Sequence, residues 1–326
     1  MLSHKDILKK YSGRRVLVTG ATGFIGLWVA RALSRGGAML YVTGRNGPAL
    51  RSACKENGLA AEVIEADLSQ PGAFTSLHQQ ANPAITFNLA GYGVDREERD
   101  ASLSAAINTR LVRQMAETVS AAEPGDWKGM QLVHVGSAFE YGPVQGQLTE
   151  ESATRPTSLY GETKLAGTRE LLAVQKKTGL RAITARLFNV YGPGEHAPRL
   201  LPSLLRAARS GEKLPLTAGE QRRDFVYVED VAEGLLRLGM LDRSPGIVNL
   251  ATGQLTSVRE FVLCAARVLG LKAEQLQFGA IPVRGDEVQQ APISTKRLEE
   301  LIGWRPEYSI EKGIRATKDF EARKNS

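Results

Sequence analysis

A tyrosine and a lysine lie four residues apart at the start of a long helical pattern, in Tyr160-Gly-Glu-Thr-Lys164. At that spacing both side chains project from one face of a helix, which places an ammonium beside a phenol. A free phenol has a pKa near 10 and exchanges protons poorly at neutral pH, but a nearby ammonium favours the phenolate and lowers that pKa. The pair is therefore suited to proton exchange with a hydroxyl or carbonyl group. The alternative is a surface pair whose lysine stem lies along the helix.

A serine at the end of a predicted strand favours the chemical interpretation. Ser137 follows the strand predicted at residues 130–135, on the carboxyl edge where open α/β sheets bind ligands. A hydroxyl there can bond to a substrate oxygen and stabilise the charge that develops on it. Ser137, Tyr160 and Lys164 are together more specific than any one of them, and we predict that they form the catalytic set.

Three glycines, Gly20, Gly23 and Gly26, separate the first predicted strand from a helical pattern. Gly20 permits a tight turn, Gly23 lets the backbone approach a pyrophosphate, and Gly26 lets the helix pack closely on the sheet. The pyrophosphate would lie against free N–H groups at the positive end of the helix. An ordinary flexible strand–helix turn is the alternative, but the flanking strand and helix favour a dinucleotide site.

The residue after the second predicted strand selects between two dinucleotides. An acid there would bond to the ribose 2′-OH of NAD, whereas an arginine accommodates the 2′-phosphate of NADP. The sequence Tyr-Val-Thr-Gly44-Arg45-Asn46 has no acid, so Arg45 favours NADP(H), with NAD(H) possible and a solvated surface arginine as the alternative. Asp67, just past the third strand, either accepts a hydrogen bond from the adenine amino group or caps the following helix. The other predicted cofactor contacts are Thr22, Phe24, Ile25, Leu68, Leu89, Ala90 and Gly91.

Short apolar runs alternate with helical patterns over residues 1–190. The strands are predicted at residues 15–19, 39–43, 61–65, 84–89, 130–135 and 182–187, and the helices at 24–34, 72–80, 102–121 and 159–177. Because parallel strands need crossover connections, this alternation predicts an α/β, Rossmann-type, doubly wound parallel sheet. Residues 191–326 have shorter mixed elements, with the last helix at 295–302 and a frayed end from residue 321. They predict a smaller C-terminal substrate-binding lobe, with the chain crossing between the lobes.

Composition excludes several kinds of partner. The formal net charge is +7, but the cations are spread along the chain and aromatic residues make up only 6% of it, which favours a small anionic ligand over nucleic acid. No apolar run approaches the roughly 18 residues of a membrane span, and the polar N-terminus does not resemble a signal peptide, so we expect a cytoplasmic protein with no membrane partner. Two cysteines and four scattered histidines predict no metal site.

Five motifs together resemble the extended short-chain dehydrogenases/reductases, in the branch that modifies nucleotide-activated sugars. They are Thr19-Gly-Ala-Thr-Gly-Phe-Ile-Gly26, Gly136-Ser-Ala-Phe-Glu-Tyr-Gly142, Tyr160-Gly-Glu-Thr-Lys164, Arg186-Leu-Phe-Asn-Val-Tyr-Gly-Pro-Gly194 and Arg222-Arg-Asp-Phe-Val-Tyr-Val-Glu-Asp230. The resemblance implies that Tyr160 is the general acid/base, that Lys164 tunes it and holds the nicotinamide ribose, and that Ser137 binds the reacting oxygen. It also implies that Asn108 faces the cofactor. A nucleotide-diphosphate sugar is the implied substrate, its diphosphate held by Asn189, Arg223 and Arg284.

Departures from the family patterns narrow the implied reaction. Members that dehydrate sugars carry an Asp-Glu pair directly after the Ser/Thr, where this chain has Ala138 and Phe139. Members that decarboxylate sugar acids carry a glutamate at the Phe139 position. Glu140 stands one place later, as in the Ser-x-x-Glu-Tyr-Gly pattern of reductases of 4-keto-6-deoxy nucleotide sugars. The resemblance therefore implies NADPH-dependent reduction of a 4-keto sugar, with Tyr160 as general acid. An NAD-dependent 4-epimerase is the alternative, and a non-catalytic cofactor-binding scaffold is a further one.

Two apolar stripes predict how copies of the chain assemble. Their residues are Leu103, Ile107, Leu111 and Met115 on one helix, and Leu159, Ala166, Leu171 and Val174 on another. Family members commonly pair these two helices into a four-helix interface, so the resemblance implies a homodimer. The alternative is that both stripes face the sheet.

Overall fold

Parallel strands form the main sheet of the protein, which we describe from a computed structural model over residues 2–94, 98, 100–123, 125–283 and 289–324. The strands are β1 (Arg15–Thr19), β2 (Met39–Gly44), β3 (Ala61–Glu65), β4 (Ile85–Asn88), β5 (Leu132–Ser137), β6 (Ala182–Leu187), β7 (Asn189–Tyr191), β8 (Leu214–Leu216), β9 (Arg222–Tyr227), β10 (Gly246–Leu250), β11 (Leu255–Ser257) and β12 (Leu276–Phe278). Seven of them form the main sheet, in the order β10-β6-β5-β4-β1-β2-β3. A second sheet has the order β11-β9-β7, and β12 pairs with β8.

Helices cover both faces of the main sheet. They are α1 (His4–Tyr11), α2 (Phe24–Arg35), α3 (Gly47–Glu56), α4 (Ala73–Ala81), α5 (Ala101–Ala105), α6 (Leu111–Ala121), α7 (Leu159–Thr178), α8 (Leu200–Ser210), α9 (Val228–Gly239), α10 (Val258–Leu269), α11 (Lys296–Ile302) and α12 (Ile310–Lys324). One buried cluster joins α2 and α9 to one face, and a second joins α4, α6 and α7 to the other. A parallel sheet buried on both faces is the predicted doubly wound α/β fold, which is confirmed.

Two helices were not expected from the sequence. α3 begins at Gly47 because the Asn46 side chain accepts a hydrogen bond from the Ala49 N–H at 3.0 Å and proline occupies the first turn. α12 extends to Lys324, so the prediction of a frayed end from residue 321 is wrong for the residues described. Burial of Ile314 and Thr317 holds this helix in place, a tertiary effect that its charged sequence does not reveal.

The C-terminal part of the chain returns to the main sheet. β10 pairs in parallel with β6, with Val248 opposite Ala185, and α9 packs against α2. The partition into residues 1–190 and 191–326 stays a prediction, with α9 and β10 supplied by the second part. Within the described residues, no helix is long and apolar enough to cross a membrane.

The apolar stripes proposed for dimerisation lie largely in the core. Leu111, Met115 and Leu171 are buried between the helices and the sheet. On the outer side of these helices, Arg113 pairs with Glu117 at 2.9 Å and with Glu170 at 3.8 Å. The interface assignment of the three buried residues was therefore wrong, because their face of the amphipathic pattern packs on the sheet of the same chain.

Candidate functional site

The glycine-rich turn lies where β1 meets α2, beside the end of β4. Gly20 has φ +68°, and a Cβ there would lie 2.7 Å from the Leu89 carbonyl oxygen. A Cβ on Gly26 would overlap the Gly20 carbonyl oxygen. Gly26 is therefore required by the turn itself rather than by packing of the helix on the sheet, which corrects the reason given for it above.

The first turn of α2 is open to an anion. Gly23 is the N-cap, and in the part of the chain that the structure describes no side chain caps the N-terminal N–H groups of this helix. These donors and the helix dipole favour a phosphate at this place. Ala90 and Gly91 follow β4 and add little bulk beside the turn. The residues present thus fit the pyrophosphate of a dinucleotide.

Charged side chains gather at the carboxyl ends of β2 and β3. Arg45 is exposed, and its charge acts on the Asp67 carboxylate. Asp67 accepts hydrogen bonds from the Ser69 N–H at 3.0 Å and the Ser69 hydroxyl at 2.8 Å, which lower the pKa of this carboxyl. Asp67 does not cap α4, whose N-cap is Gly72, so the capping alternative was wrong because a local turn intervenes. The Leu68 side chain lies in the core.

Glu65 was missed as a member of this cluster. It ends β3 opposite Gly44 in the sheet register, and its Oε2 accepts a hydrogen bond from the Gly47 N–H at 3.0 Å. An acid therefore stands beside the end of β2 although none follows β2 in the sequence. Only the pairing of β2 with β3 brings it there.

The structure brings Ser137 and Tyr160 together. Ser137 ends β5, and Tyr160 lies in the first turn of α7, which Ser158 caps by accepting a hydrogen bond from the Gly161 N–H at 3.2 Å. The Ser137 hydroxyl acts on the Tyr160 hydroxyl and lowers the pKa of that phenol. The ring of Phe139 stands edge-on to the Tyr160 ring, with centroids 5.8 Å apart. The predicted contact between the fifth strand and the long helix thus exists at the carboxyl edge of the sheet.

Burial determines the pKa values of Tyr160 and Lys164. Lys164 is 2% exposed, its Nζ donates to the Val135 carbonyl oxygen at 2.6 Å, and burial lowers its pKa to about 8. Burial also raises the pKa of Tyr160 to about 12, with the Ser137 hydrogen bond opposing that rise. The net shift of the phenol pKa is therefore upward, against the lowering expected from Lys164. Desolvation by burial is the largest cause of this rise, and Tyr160 is protonated at neutral pH.

Asn108 lies in a π-helical turn, residues Ala106–Arg110, between α5 and α6. Its side chain is fully buried, accepts from the Tyr92 N–H at 3.0 Å and donates to the Tyr92 carbonyl oxygen at 2.7 Å. It also donates to the Thr163 hydroxyl at 3.0 Å. The side chain thus ties the loop after β4 to α7, and its amide is occupied by protein partners rather than presented to a cofactor.

Two of the three residues expected at the substrate diphosphate lie in the small sheet. Asn189 begins β7 and is opposite Phe225 of β9, two residues beyond Arg223. Both side chains are half-buried, and Arg223 donates to the Arg222 carbonyl oxygen at 2.7 Å. Arg284 lies outside the described residues.

Other charged groups of the site had no distinctive signal in the sequence. The charges of Arg199 and Glu98 act on the Tyr160 hydroxyl in opposite directions. Arg199 precedes α8 in a segment broken by glycine and proline, and Glu98 follows β4 by ten residues. Arg186, although part of a recognised motif, forms an ion pair with Glu140 that spacing alone does not indicate.

Comparison with known proteins extends over nearly the whole chain. Over 93% of this chain and 93% of the relative, it is 28% identical to the dTDP-L-rhamnose 4-epimerase of Burkholderia thailandensis. It is also 28% identical to the dTDP-6-deoxy-L-talose 4-dehydrogenase (NAD(P)(+)) of Kitasatospora kifunensis, over 92% of this chain and 93% of that protein.

Solved structures and a family model agree with these relatives. MoeE5 in complex with UDP-glucose and NAD superposes with a TM-score of 0.80 at 26% identity, covering 95% of this chain and 99% of that chain. The fold is shared with the UDP-glucose 4-epimerase of Thermotoga maritima, with a TM-score of 0.83 at 23% identity, covering 95% and 99% of the two chains. Residues 16–251 match the model of the NAD dependent epimerase/dehydratase family. The chain belongs to this family.

Proposed function

We propose that the protein reduces the 4-keto group of a 6-deoxy nucleotide-diphosphate sugar with NADPH. The observation that carries this proposal is that Ser137 acts on the Tyr160 hydroxyl, whose pKa is raised to about 12. Reduction of a carbonyl requires a proton donor, and a phenol with this pKa holds its proton at neutral pH. An enzyme that first oxidises its substrate would need the phenolate instead.

The roles of the chain's own residues follow from this arrangement. A bound nicotinamide dinucleotide supplies hydride. The Ser137 hydroxyl holds the keto oxygen beside Tyr160, and Tyr160 donates its proton to that oxygen as the carbon receives hydride, so the carbonyl becomes a hydroxyl group. Lys164, buried beneath the pair, contributes a positive charge that favours the negative charge developing on the oxygen.

The side chain next to the reacting centre supports a reductase over a dehydratase or decarboxylase. Phe139 is 62% exposed and stands against the Tyr160 ring. Its N–H donates to the Ser137 Oγ at 3.2 Å, which fixes it beside the reacting oxygen. Neither Phe139 nor Ala138 can exchange a proton. An apolar ring at this place suits a sugar carbon without oxygen, such as the methyl group of a 6-deoxy sugar, better than a hydroxymethyl or carboxylate group.

Arg45 supports NADPH as the reductant. Its exposed guanidinium stands at the carboxyl end of β2, where it can form a charge-assisted hydrogen bond to a 2′-phosphate. The nucleotide diphosphate of the sugar would be bound by Asn189 and Arg223. The homodimer and the cytoplasmic location stay predictions of the sequence.

A second candidate function, NAD-dependent 4-epimerisation, is favoured by Glu65. Its carboxylate beside the end of β2 could accept a hydrogen bond from the ribose 2′-OH of NAD. An epimerase reoxidises its own cofactor in each cycle and gains by never releasing it, whereas a reductase must exchange its cofactor.

The two functions predict different results for the purified protein. We expect oxidation of added NADPH, followed by its absorbance, only when a 4-keto-6-deoxy nucleotide sugar is present. A preceding stability screen with CDP-, GDP-, UDP- and dTDP-sugars identifies the nucleotide, since a bound ligand raises the melting temperature. Near-stoichiometric NAD released by denaturation after dialysis would reject the reductase and favour the epimerase.

A further inference from the structure

A buried ion pair lies directly behind Ser137. Glu140 Oε2 accepts from Arg186 Nε at 2.8 Å, and the two side chains are 0% and 2% exposed. The other carboxylate oxygen of Glu140, Oε1, accepts from the Ser137 N–H at 2.8 Å. The backbone of the serine that we expect to hold the substrate oxygen is therefore fixed by an anion, and that anion is fixed by Arg186.

Packing around the pair leaves it little freedom. The Arg186 guanidinium lies over the Tyr141 ring at 4.2 Å, and the Tyr141 hydroxyl donates to Asn249 Oδ1 at 2.8 Å. A Cβ on Gly136 would approach Glu140 Oε1 to 2.6 Å, so the strand passes very close to the carboxylate. Desolvation makes a buried ion pair a poor source of net stability. The hydrogen bond from the Ser137 N–H to Glu140 therefore indicates that the ion pair serves the catalytic site.

The charge of Glu140 acts on both Tyr160 and Lys164. It raises the pKa of Lys164, against the lowering by burial, and it raises the pKa of Tyr160 together with burial. The other charged or titratable groups that act here are His134 of β5, next to Lys164, and Glu98 and Arg199, next to Tyr160. Among the described residues that affect Lys164, Glu140 is the one that favours its charged form.

We propose that Glu140, held by Arg186, is a positioning residue that fixes Ser137 and supplies the buried negative charge that keeps Lys164 protonated. This inference rests on the proposed function for the role of the three catalytic groups. In a reductase, the protonated phenol is the active form. Glu140 thus keeps Lys164 charged one helical turn from Tyr160, where a positive charge favours transfer of the phenol proton to the substrate oxygen.

Glu140→Gln tests the proposal because it removes the charge and keeps an oxygen that can accept from the Ser137 N–H. Since this variant leaves Arg186 buried without its anion and could unfold, the double variant Glu140→Gln/Arg186→Met removes both charges. The matched control is Glu233→Gln/Arg237→Met, which breaks a pair of 2.6 Å whose side chains are 10% and 6% exposed, within α9.

Titration of Lys164 gives a measurement that does not depend on activity. The NMR resonance of its ε-carbon, assigned with Lys164→Met, is followed against pH in the full-length protein. We expect the midpoint to fall by about one pH unit in both Glu140 variants, because an opposite charge has been removed from a buried lysine, and to stay unchanged in the control.

Kinetics provide the second readout. We expect kcat to fall about tenfold at pH 7 with KM for the sugar nearly unchanged, and the alkaline limb of the kcat profile to move to lower pH by the same amount as the Lys164 midpoint. An unchanged midpoint together with an unchanged limb would overturn the proposal. If the wild-type protein reduces no nucleotide sugar, the proposed function fails by itself, and the Lys164 midpoint still decides whether Glu140 acts on the site.

Discussion

Replacing Tyr160 with phenylalanine removes one hydroxyl group and keeps the ring that stands against Phe139 at 5.8 Å. Loss of a general acid typically costs about 10²- to 10⁴-fold in rate, and we expect kcat to fall within that range. Among the described residues, the substitution also removes the interaction with the Ser137 hydroxyl, worth about 1 kcal/mol. For a chain of this size, that corresponds to a fall of about 2–4 °C in the melting temperature at most.

The assay is the NADPH oxidation rate with a 4-keto-6-deoxy nucleotide sugar, measured beside thermal unfolding. Tyr11→Phe is the matched control, since its fully buried hydroxyl donates to the Leu236 carbonyl oxygen at 2.6 Å, far from the catalytic residues in the first helix. We expect this control to lose at least as much stability as Tyr160→Phe and to keep its turnover.

Two results would refute the reasoning. Near-normal kcat in a well-folded Tyr160→Phe variant would remove the phenol from the mechanism. An equal loss of kcat in Tyr11→Phe would assign the effect to folding rather than to proton transfer. A large loss of kcat confined to Tyr160→Phe would agree with the general-acid role.

Four other predictions follow from the same structure. The wild-type protein should prefer NADPH over NADH about tenfold in kcat/KM, the lower end of the range for a charge-assisted hydrogen bond because the Arg45 side chain is exposed. Arg45→Asp should abolish or reverse this preference. Phe139→Glu should lower kcat/KM for the 6-deoxy sugar about tenfold while Phe139→Leu retains most of it, and equal values in the two variants would contradict an apolar contact. Because burial holds the pKa of Lys164 at about 8 against the ordinary 10.5, its charge destabilises the folded state below pH 8, and this cost fades as the pH rises toward 10.5. Lys164→Met should therefore be more stable than the wild type at pH 7, by at most about 3 kcal/mol, and the difference in melting temperature should shrink by pH 10. Light scattering at micromolar concentration should give about twice the 35.3 kDa of one chain, and the monomer mass would reject the homodimer.

Much of the fold could be predicted because its signals are local. The strands at Arg15–Thr19, Ala61–Glu65 and Ala182–Leu187 have the predicted bounds, since each is a short apolar or β-branched run between residues that break it. α12 could not be predicted, because its polar sequence forms a helix through burial against distant elements. The apolar stripe containing Met115 was placed on the wrong side, because periodicity identifies a buried face without saying whether the same chain or a second copy covers it.

The sequence by itself determined that three residues of the site lie at the carboxyl edge of the sheet. Gly20 and Ser137 occupy strand ends and Tyr160 begins a helix, and local patterning together with the rules of parallel sheets is sufficient to bring these positions together. The tertiary structure alone decided their protonation and the ion pair of Glu140 and Arg186 that fixes Ser137. The pKa of a group depends on how deeply the rest of the chain buries it and on charges that arrive from elsewhere, as Arg186 does from 46 residues beyond Glu140. Desolvation therefore reversed the expected direction of the shift for Tyr160, since burial is a property of the packed molecule and spacing along the chain does not contain it.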